Sequence, residues 1–319
     1  CNSIHTQDKN KNKLILWNNA YGRDAKQIFE KNNIQIGCCL QMLATHTTTS
    51  PILHMNSMYA AIDLLLYNRE ELIIKCNAPT SISDEELLLS YLTQFGMSAL
   101  KDVNGDFSGV IYDENAQTLT LFRDHMGIRP LYYYADNSFM AFSTDIRGLL
   151  GLDGVDSSLN EDWIYRTLSG YFVDSVTSTE YQNIFCVSPA SYITFSIKNE
   201  KISQEIHSYW QLGKKKIHYT SFELYKAKLK ELVTDSIQRR LQAIPGKAGA
   251  ELSGGLDSGV IGILIHRLGR DCVYFSWSVD PNEIPYADHD ERLIIKDICK
   301  QEHIQCHYSQ MKSDRSMNS

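Results

Sequence analysis

The segment Ala250-Glu251-Leu252-Ser253-Gly254-Gly255-Leu256-Asp257-Ser258-Gly259-Val260 joins the end of a predicted buried strand to a predicted helix over residues 260–268. Its two adjacent glycines allow the backbone to approach an anion closely and to adopt conformations that a Cβ would forbid. The helix that follows offers unpaired N–H groups and the positive end of its dipole, and the serines add hydroxyl donors. The segment therefore predicts a site for a pyrophosphate-like anion. A glycine-rich turn without a ligand is the simpler alternative.

The composition suits a soluble globular protein with room for two domains of ordinary size. The chain has 319 residues, of which 43% are hydrophobic and 22% are charged, and its formal net charge is −7. A negative net charge argues against a general surface for nucleic acid or for an anionic membrane. Because no apolar run is long enough to span a bilayer, we expect neither nucleic acid nor a membrane as a partner.

The eight cysteines show no paired metal-ligand spacing, since Cys38 and Cys39 are adjacent and the others are scattered. We therefore assign no residue as a metal ligand. Scattered thiols, in a sequence whose first residues show no basic-then-apolar export signal, are typical of a reducing compartment. The expected location is the cytoplasm.

The first two thirds of the chain predict an α+β domain of stacked antiparallel sheets with flanking helices. Strands are predicted at residues 34–43, 59–66, 105–112, 118–123, 131–135, 140–143, 184–189 and 192–197. Helices are predicted at residues 25–31, 145–151 and 163–169. A further helix is expected to begin at Ser83 or Asp84, where a capping residue precedes acids, and to stop at Gly96.

The last third predicts an α/β domain with a parallel sheet. An amphipathic helix at residues 222–242 leads to the Ser-Gly-Gly turn. The alternation continues with a strand at 272–278, a helix at 289–301 and a third strand within 303–308. We place the boundary near Lys214, which gives domains over residues 1–213 and 214–319.

Cys1 carries a thiol and a free α-amine on one residue if the mature protein begins there. An α-amine has an unperturbed pKa of about 7.7–8.0, so it can act as a base for its own thiol near neutral pH. Cys1 is therefore a candidate catalytic nucleophile, with a trimmed terminus as the alternative interpretation.

Two motifs together resemble a known family. The run from Ser253 to Ser258 has the Ser-Gly-Gly-Xaa-Asp-Ser pattern of the ATP pyrophosphatases. A second set of residues resembles the signature of the glutamine-dependent asparagine synthetases. It comprises Gly105-Asp106-Phe107, Tyr112-Asp113 and Arg123-Asp124-His125-Met126-Gly127-Ile128-Arg129-Pro130-Leu131-Tyr132-Tyr133.

The resemblance implies an N-terminal glutaminase of the αββα N-terminal-nucleophile fold, followed by an ATP-pyrophosphatase domain that adenylates a carboxylate. Glutamine would supply ammonia, and ATP would be used with Mg²⁺. Cys1 would be the nucleophile, and Asp84 would hold the α-amine of glutamine, with helix capping as its alternative role. The phosphate loop would comprise Ser253, Gly254, Gly255, Asp257 and Ser258. Asp257 would position magnesium or orient the loop, and Trp277 is interpreted as a core residue, with stacking on adenine as the alternative.

Three departures from the family pattern weaken the case for glutaminase activity. Cys1-Asn2-Ser3 stands where the family begins Cys-Gly-Ile. Cys39 aligns with the arginine that holds the glutamine carboxylate, and a thiol cannot make the bidentate contact of a guanidinium. Asp63-Leu64 aligns with the Asn-Gly pair that supplies oxyanion-hole donors, where an aspartate places a negative charge beside a developing one.

The family's synthetase domain is longer than the segment from 214 to 319, and its second phosphate motif and its later lysine are not found in this sequence. We therefore expect that the sequence is a fragment, that a second polypeptide completes it, or that the chain does not perform the full reaction. A homodimer is left open.

Three functions remain in contention. The first is an amide-forming ligase that uses glutamine, ATP and a carboxylate acceptor. The second is a lactam- or macrolactam-forming synthetase with a decayed glutaminase domain, which the departures at Cys39 and Asp63 favour. The third is a non-catalytic binding or regulatory module that docks another chain.

Overall fold

The computed structural model describes residues 22–31, 34–42, 44–137, 139–171, 176–198, 201–214, 216–286 and 290–310. The predicted nucleophile Cys1 lies outside these residues. The chain divides into two compact units, with the division between residues 215 and 216. Among the described helices, none has the length and the apolar character that a membrane span requires.

Antiparallel strands dominate the first unit. Its described strands are β1 (Ala25–Lys31), β2 (Ile34–Leu40), β3 (Leu53–Met55), β4 (Met58–Leu66), β5 (Gly105–Asp113), β6 (Thr118–Arg123), β7 (Tyr132–Ala135), β8 (Met140–Ser143), β9 (Ile184–Cys186), β10 (Ser191–Lys198) and β11 (Lys201–Ser208). Its described helices are α1 (Arg69–Cys76), α2 (Asp84–Phe95), α3 (Ile146–Leu150) and α4 (Glu161–Leu168), with a 3₁₀ helix at Met97–Asp102.

The first unit has helix–sheet–sheet–helix layers. The larger sheet has the strand order β11-β10-β6-β5-β4-β3, and the smaller sheets are β8-β7-β9 and the hairpin β1-β2. One face of the larger sheet packs against α1 and α2, where Leu72 and Leu88 are fully buried. Its other face packs against the smaller sheets through residues such as Ile36 and Tyr133. Leu149 of α3 covers the far side of sheet β8-β7-β9, so the predicted αββα fold is confirmed.

Residues 25–31 form strand β1, and the predicted helix there is wrong. Every residue of β1 has an antiparallel partner in β2. Phe29 of β1 also stacks on Tyr59 of β4, with 4.0 Å between the ring centroids. Helix propensity is a weak preference, and these long-range contacts override the local tendency of Ala, Lys, Gln and Glu to form a helix.

The predicted start of α2 is confirmed, and it carries a capping box. The hydroxyl of Ser83 accepts the N–H of Glu86 at 3.3 Å, and the carboxylate of Glu86 accepts the N–H of Ser83 at 3.2 Å. Two donors at the helix start are thereby satisfied reciprocally. Asp84 and Glu85 follow the cap and are both buried, so the first turn of α2 carries two carboxylates into the interior.

The second unit alternates helices and parallel strands. Its described elements are α5 (Phe222–Ala243), β12 (Ala248–Glu251), α6 (Leu256–Arg267), β13 (Cys272–Val279), α7 (Glu291–Glu302) and β14 (Cys306–Ser309). The strands pair in parallel in the order β12-β13-β14. Leu252, Ile265 and Ile295 form its core with Tyr274. The predicted α/β arrangement with a parallel sheet is confirmed.

Asp124, directly after β6, holds the loop that leads from the larger sheet to the smaller one. Its Oδ1 accepts the N–H groups of Met126 and Ile128 at 3.0 Å each. Its Oδ2 accepts the N–H of Arg129 at 3.0 Å and that of Phe107 at 3.3 Å. The residue is 1% exposed, so these four donors replace the water that an ionised carboxylate would otherwise bind.

The guanidinium of Arg123 holds the same loop from another side. It donates to the carbonyl oxygens of Arg129 at 2.7 Å and of Val187 at 2.8 Å, and also to that of Gly127. Gly127 has a φ of +69°, and a Cβ there would lie 2.9 Å from the guanidinium carbon of Arg123. The Arg-Asp-Xaa-Xaa-Gly segment that carries the family resemblance is therefore a structural element of the first unit.

Replacing the buried carboxylate with an amide tests this role. In Asp124→Asn one amide NH₂ faces two N–H donors, so the free energy of unfolding of the first unit should fall by about 3 kcal/mol. Guanidinium denaturation followed by circular dichroism measures the change. Asp162→Asn is the control, since its side chain is 72% exposed. Equal stabilities for the two variants would contradict the role given to Asp124.

Candidate functional site

The Ser-Gly-Gly turn lies at the carboxyl end of β12 and leads directly into α6. Leu252 is fully buried, and its N–H donates to the carbonyl oxygen of Phe275 in β13 at 2.8 Å. Helix α6 begins at Leu256 and not at the predicted residue 260, so Asp257 and Ser258 belong to its first turn. The helix includes Gly259, where a Cβ would contact Ile298 of α7 at 3.4 Å.

Gly254 is the residue that the geometry of the turn restricts most. Its φ is +73°, a conformation that L side chains rarely adopt. A Cβ at this position would lie 2.8 Å from both the Cβ and the carbonyl oxygen of Glu291, the first residue of α7. Both the backbone conformation and the available space therefore require glycine.

The two serines of the turn contact each other. Their Oγ atoms are 2.8 Å apart, and the Oγ of Ser258 also accepts the N–H of Ser253 at 3.2 Å. Asp257 is exposed on the first turn of α6. The early N–H groups of a helix have no intrahelical acceptor, and the helix dipole is positive at this end. Together with the hydroxyls, this arrangement suits an anion.

Trp277, near the end of β13, is 74% exposed. Its interpretation as a core residue is therefore wrong for the described part of the chain. Its ring contacts that of Phe275 edge to face, with 6.3 Å between the centroids. The indole is accessible to an aromatic ligand on this side of the sheet.

In the first unit, the carboxylate of Asp84 is paired with Arg69. The same guanidinium also donates to the carbonyl oxygens of Thr80 at 2.9 Å and of Ile82. Asp84 is 4% exposed. Burial raises the pKa of Asp84, and Arg69 lowers it. Because the carboxylate is already neutralised, an ammonium ligand would have to share it with the guanidinium or displace the guanidinium.

Asp63, in β4, lies beside Arg129, with 3.7 Å between Oδ2 and Nη1. The side chain of Asp63 is 47% exposed. The desolvation that remains raises the pKa of Asp63 and Arg129 lowers it, while Asp106 and Asp124 raise it further. The Nε of Arg129 is buried and has no hydrogen-bond partner among the described residues. The position predicted to align with an oxyanion-hole asparagine thus lies among several carboxylates and one guanidinium.

Cys39, which is predicted to align with the family's carboxylate-binding arginine, is half-buried in β2. It lies opposite Lys26 of β1 in the hairpin. Burial raises the pKa of its thiol, and Lys26 lowers it. A thiol at this position supplies neither the positive charge nor the paired donors that a guanidinium would offer to a carboxylate.

Glu85 is a buried acid that the sequence pattern does not single out. It is 2% exposed, and its carboxylate accepts the N–H of Thr48 at 2.8 Å. Burial raises the pKa of Glu85 to about 7, and the charges of Asp84 and Asp63 raise it as well. Burial likewise raises the pKa of the nearby Cys38 thiol to about 12, with Asp63 and Glu85 contributing. In the sequence Glu85 has the appearance of an ordinary first-turn acid.

The pKa of Glu85 gives a prediction about pH. The folded state binds this proton more tightly than the unfolded state, so ionisation of Glu85 lowers the stability of the first unit as the pH rises from about 4.5 to 7. Glu85→Gln should match the wild type at pH 4.5 and exceed its free energy of unfolding by roughly 3 kcal/mol at pH 8. Urea denaturation at the two pH values measures this. The same pH dependence in both proteins would contradict it.

Comparison with known proteins assigns both units. Residues 4–210 match the family model of the glutamine amidotransferase domain, and residues 228–318 match that of asparagine synthase. The chain is 28% identical over 248 residues to a putative glutamine-hydrolysing asparagine synthetase of Methanocaldococcus jannaschii. The matched residues make up 75% of this chain and 46% of that protein.

Two further relatives are named as an amidase and as an asparagine synthetase. The amidase chry2 of Gibberella zeae is 30% identical over 195 residues, which are 58% of this chain and 27% of the amidase. A glutamine-hydrolysing asparagine synthetase of Bacillus subtilis is 29% identical over 219 residues, which are 67% of this chain and 33% of the relative. The chain spans less than half of the length of each of these relatives. The glutamine amidotransferase model alone matches more than half of the chain. This protein therefore belongs to the glutamine-dependent asparagine synthetase family, with a glutamine amidotransferase domain ahead of asparagine synthase sequence.

Proposed function

We propose that this chain carries the ATP-binding loop of an amide-forming ligase that resembles glutamine-hydrolysing asparagine synthetase. A carboxylate oxygen of the acceptor attacks the α-phosphorus of ATP, and the bond to the leaving pyrophosphate breaks. The resulting acyl-AMP is then attacked by an amine, which forms the amide and releases AMP and a proton. The proposal divides the chain into a glutaminase-like domain at residues 1–213 and synthetase sequence at 214–319.

The geometry of the Ser-Gly-Gly turn supports this function best. Gly254 brings the backbone against Glu291, and the turn passes directly into the first turn of α6. In the proposed complex the pyrophosphate part of ATP accepts hydrogen bonds from N–H groups of the turn and from the hydroxyls of Ser253 and Ser258. Because backbone donors and a helix N-terminus recognise phosphate without a lysine, the lack of a Walker A lysine does not count against the proposal.

Magnesium is the ion expected with ATP. In the described parts of both units, no group of three or more His, Cys, Asp and Glu side chains could hold a metal ion. Mg²⁺ commonly binds through substrate phosphates, waters and only one or two carboxylates. The exposed Asp257 fits that limited role, and the ion would neutralise charge on the phosphates.

A second candidate function concerns the source of the amine. Glutamine would have to bind where Asp84 is already paired with Arg69, and where Asp63 replaces a neutral donor. These contacts favour a lactam- or macrolactam-forming synthetase, in which an amine of the substrate itself attacks the acyl-AMP. In both candidates the carboxylate activation by ATP is the same.

The cellular setting is proposed on chemical grounds. No disulfide joins the cysteines in the part of the chain that the structure describes. Half-buried thiols of this kind suit the reducing cytoplasm. A second polypeptide that completes the synthetase domain, or a second copy of the chain, is the proposed macromolecular partner.

Ser258→Ala tests the phosphate loop. The variant should bind ATP about 10- to 100-fold more weakly than the wild type in the presence of Mg²⁺, because a hydrogen bond to a charged phosphate is lost. Isothermal titration calorimetry measures the affinity. Ser196→Ala is a matched control, since the Oγ of Ser196 lies 2.9 Å from that of Ser203 in the first unit.

The proposal fails if Ser258→Ala and Ser196→Ala bind ATP equally well. It also fails if the wild type binds no ATP, a result that would favour the non-catalytic binding module. Once ATP binding is established, exchange of labelled pyrophosphate into ATP in the presence of candidate carboxylates tests the adenylation step itself.

Glutamine hydrolysis separates the two candidate functions. We expect the chain to release ammonia from glutamine at least about 100-fold more slowly than an asparagine synthetase with an Asn-Gly pair, because an oxyanion-hole donor is replaced. A coupled ammonia assay on the wild type and on Cys1→Ala measures the rate. Rapid hydrolysis that disappears in Cys1→Ala would exclude the lactam-forming candidate.

A further inference from the structure

Glu291, the first residue of α7, lies directly against the proposed phosphate loop. Its Cβ and its carbonyl oxygen are the two atoms that a Cβ on Gly254 would approach to 2.8 Å. Strand β12 pairs in parallel with β13, with Glu251 opposite Phe275, so the Ser-Gly-Gly turn follows beside the last residues of β13. The start of α7 therefore belongs to the same edge of the sheet as the proposed ATP site.

A hydrogen bond fixes the direction of the Glu291 side chain. Its Oε1 accepts the hydroxyl of Ser278, near the end of β13, at 2.5 Å. A bond of this length between a hydroxyl and a carboxylate is a strong, charge-assisted one. Because the backbone of Glu291 contacts Gly254 and its carboxylate contacts Ser278, the side chain extends from the Ser-Gly-Gly turn toward the end of β13.

The guanidinium of Arg292 holds the start of α7 in place. It is 6% exposed, and it donates to the carbonyl oxygens of Val279 at 2.8 Å and of Ile284 at 2.9 Å. It is also paired with Asp290, whose Oδ1 accepts the N–H of Arg292 at 2.9 Å. The cation next to Glu291 in the sequence is thus committed to Asp290 and to backbone carbonyls, and it leaves the charge of Glu291 in place.

The side chains around the proposed phosphate loop carry negative charge. The segment from Ala250 to Val260 contains Glu251 and Asp257 but no lysine or arginine, and Glu291 adds a third carboxylate from α7. The backbone donors of the turn attract phosphate, whereas these carboxylates repel it. A magnesium ion bound to the phosphates lowers the negative charge of ATP and thereby weakens the repulsion.

We propose that Glu291 is a specificity-determining residue of the proposed ATP site, because its carboxylate disfavours ATP without a divalent cation and so selects the magnesium complex. The inference rests on the proposed function, since it requires ATP to bind at the Ser-Gly-Gly turn. It requires only that the charge of Glu291 lies close to the phosphates, without a direct contact to the metal. Glu291 is exposed, so its effect depends on the salt concentration.

Two variants separate the charge of Glu291 from its contact with Ser278. Glu291→Gln removes the charge, while its amide oxygen can still accept the Ser278 hydroxyl. Ser278→Ala is the matched control, because it removes the hydrogen bond and keeps the charge. Amide chemical shifts of residues 253–258 in the full chain measure binding at the loop, with ATP titrated once in excess EDTA and once in excess Mg²⁺.

We expect Glu291→Gln to bind metal-free ATP about tenfold more tightly than the wild type, because the repulsion of one carboxylate is lost. Its affinity for the magnesium complex should stay within about threefold of the wild type, and Ser278→Ala should stay within about threefold under both conditions. In about 1 M KCl the Debye length falls to about 3 Å, so the gain of Glu291→Gln should largely disappear. A change in packing would not depend on salt in this way.

The outcomes distinguish the inference from the proposed function. Equal affinities of the wild type and Glu291→Gln for metal-free ATP would overturn the inference alone. Equal gains in Glu291→Gln and Ser278→Ala, or a gain that persists in 1 M KCl, would also overturn it, because the contact with Ser278 and not the charge would then be responsible. If the magnesium complex of ATP gives no saturable shift in the wild type, both the inference and the proposed function are wrong.

Discussion

The buried carboxylate of Asp124 is the contact on which the two main sheets of the first unit depend. Its side chain binds N–H groups of the loop after β6 and one of β5, while its own carbonyl oxygen accepts the N–H of Ala190 just before β10. The same loop continues into β7 of the smaller sheet. One buried carboxylate therefore ties β5 to the loop that leads into the smaller sheet, and that loop brings Arg129 beside Asp63. The packing of the fold and the electrostatics of the candidate glutamine site are thus linked.

The sequence predicts those elements of the fold whose signals are local. The start of α2 is predicted correctly because its capping box lies within four consecutive residues. The parallel sheet is predicted correctly because strands and helices alternate along the sequence. The errors have long-range or packing causes. Strand β1 forms because β2 and Tyr59 are available to it. Helix α6 begins at Leu256 and continues through Gly259, although glycine disfavours a helix interior, and a Cβ at Gly259 would contact Ile298.

In the candidate sites, too, the features with local signals could be predicted and those that depend on long-range contacts could not. The Ser-Gly-Gly turn could be predicted because six consecutive residues carry its chemistry. The partners of Asp84 and Asp63 could not, since Arg69 is 15 residues from Asp84 along the chain and reaches it only through the packing of α1 on α2. Nor could the burial of Glu85 be read from its neighbours. Local pattern thus identifies acids near a helix start, but tertiary contacts decide which of them is neutralised, which is buried and which can bind a ligand.

The proposed phosphate loop and the predicted glutamine site differ in how many separate side chains each requires. The proposed phosphate loop would bind through backbone N–H groups and the end of a helix, so its main requirement is that Gly254 fits against Glu291. A glutamine site needs separate side chains of the correct charge on β2, β4 and α2. A guanidinium on Asp84 and a carboxylate at position 63 each change the charge that such a site presents. In the proposed function, carboxylate activation by ATP would therefore not depend on Asp84 and Asp63, whereas the choice of amine donor would.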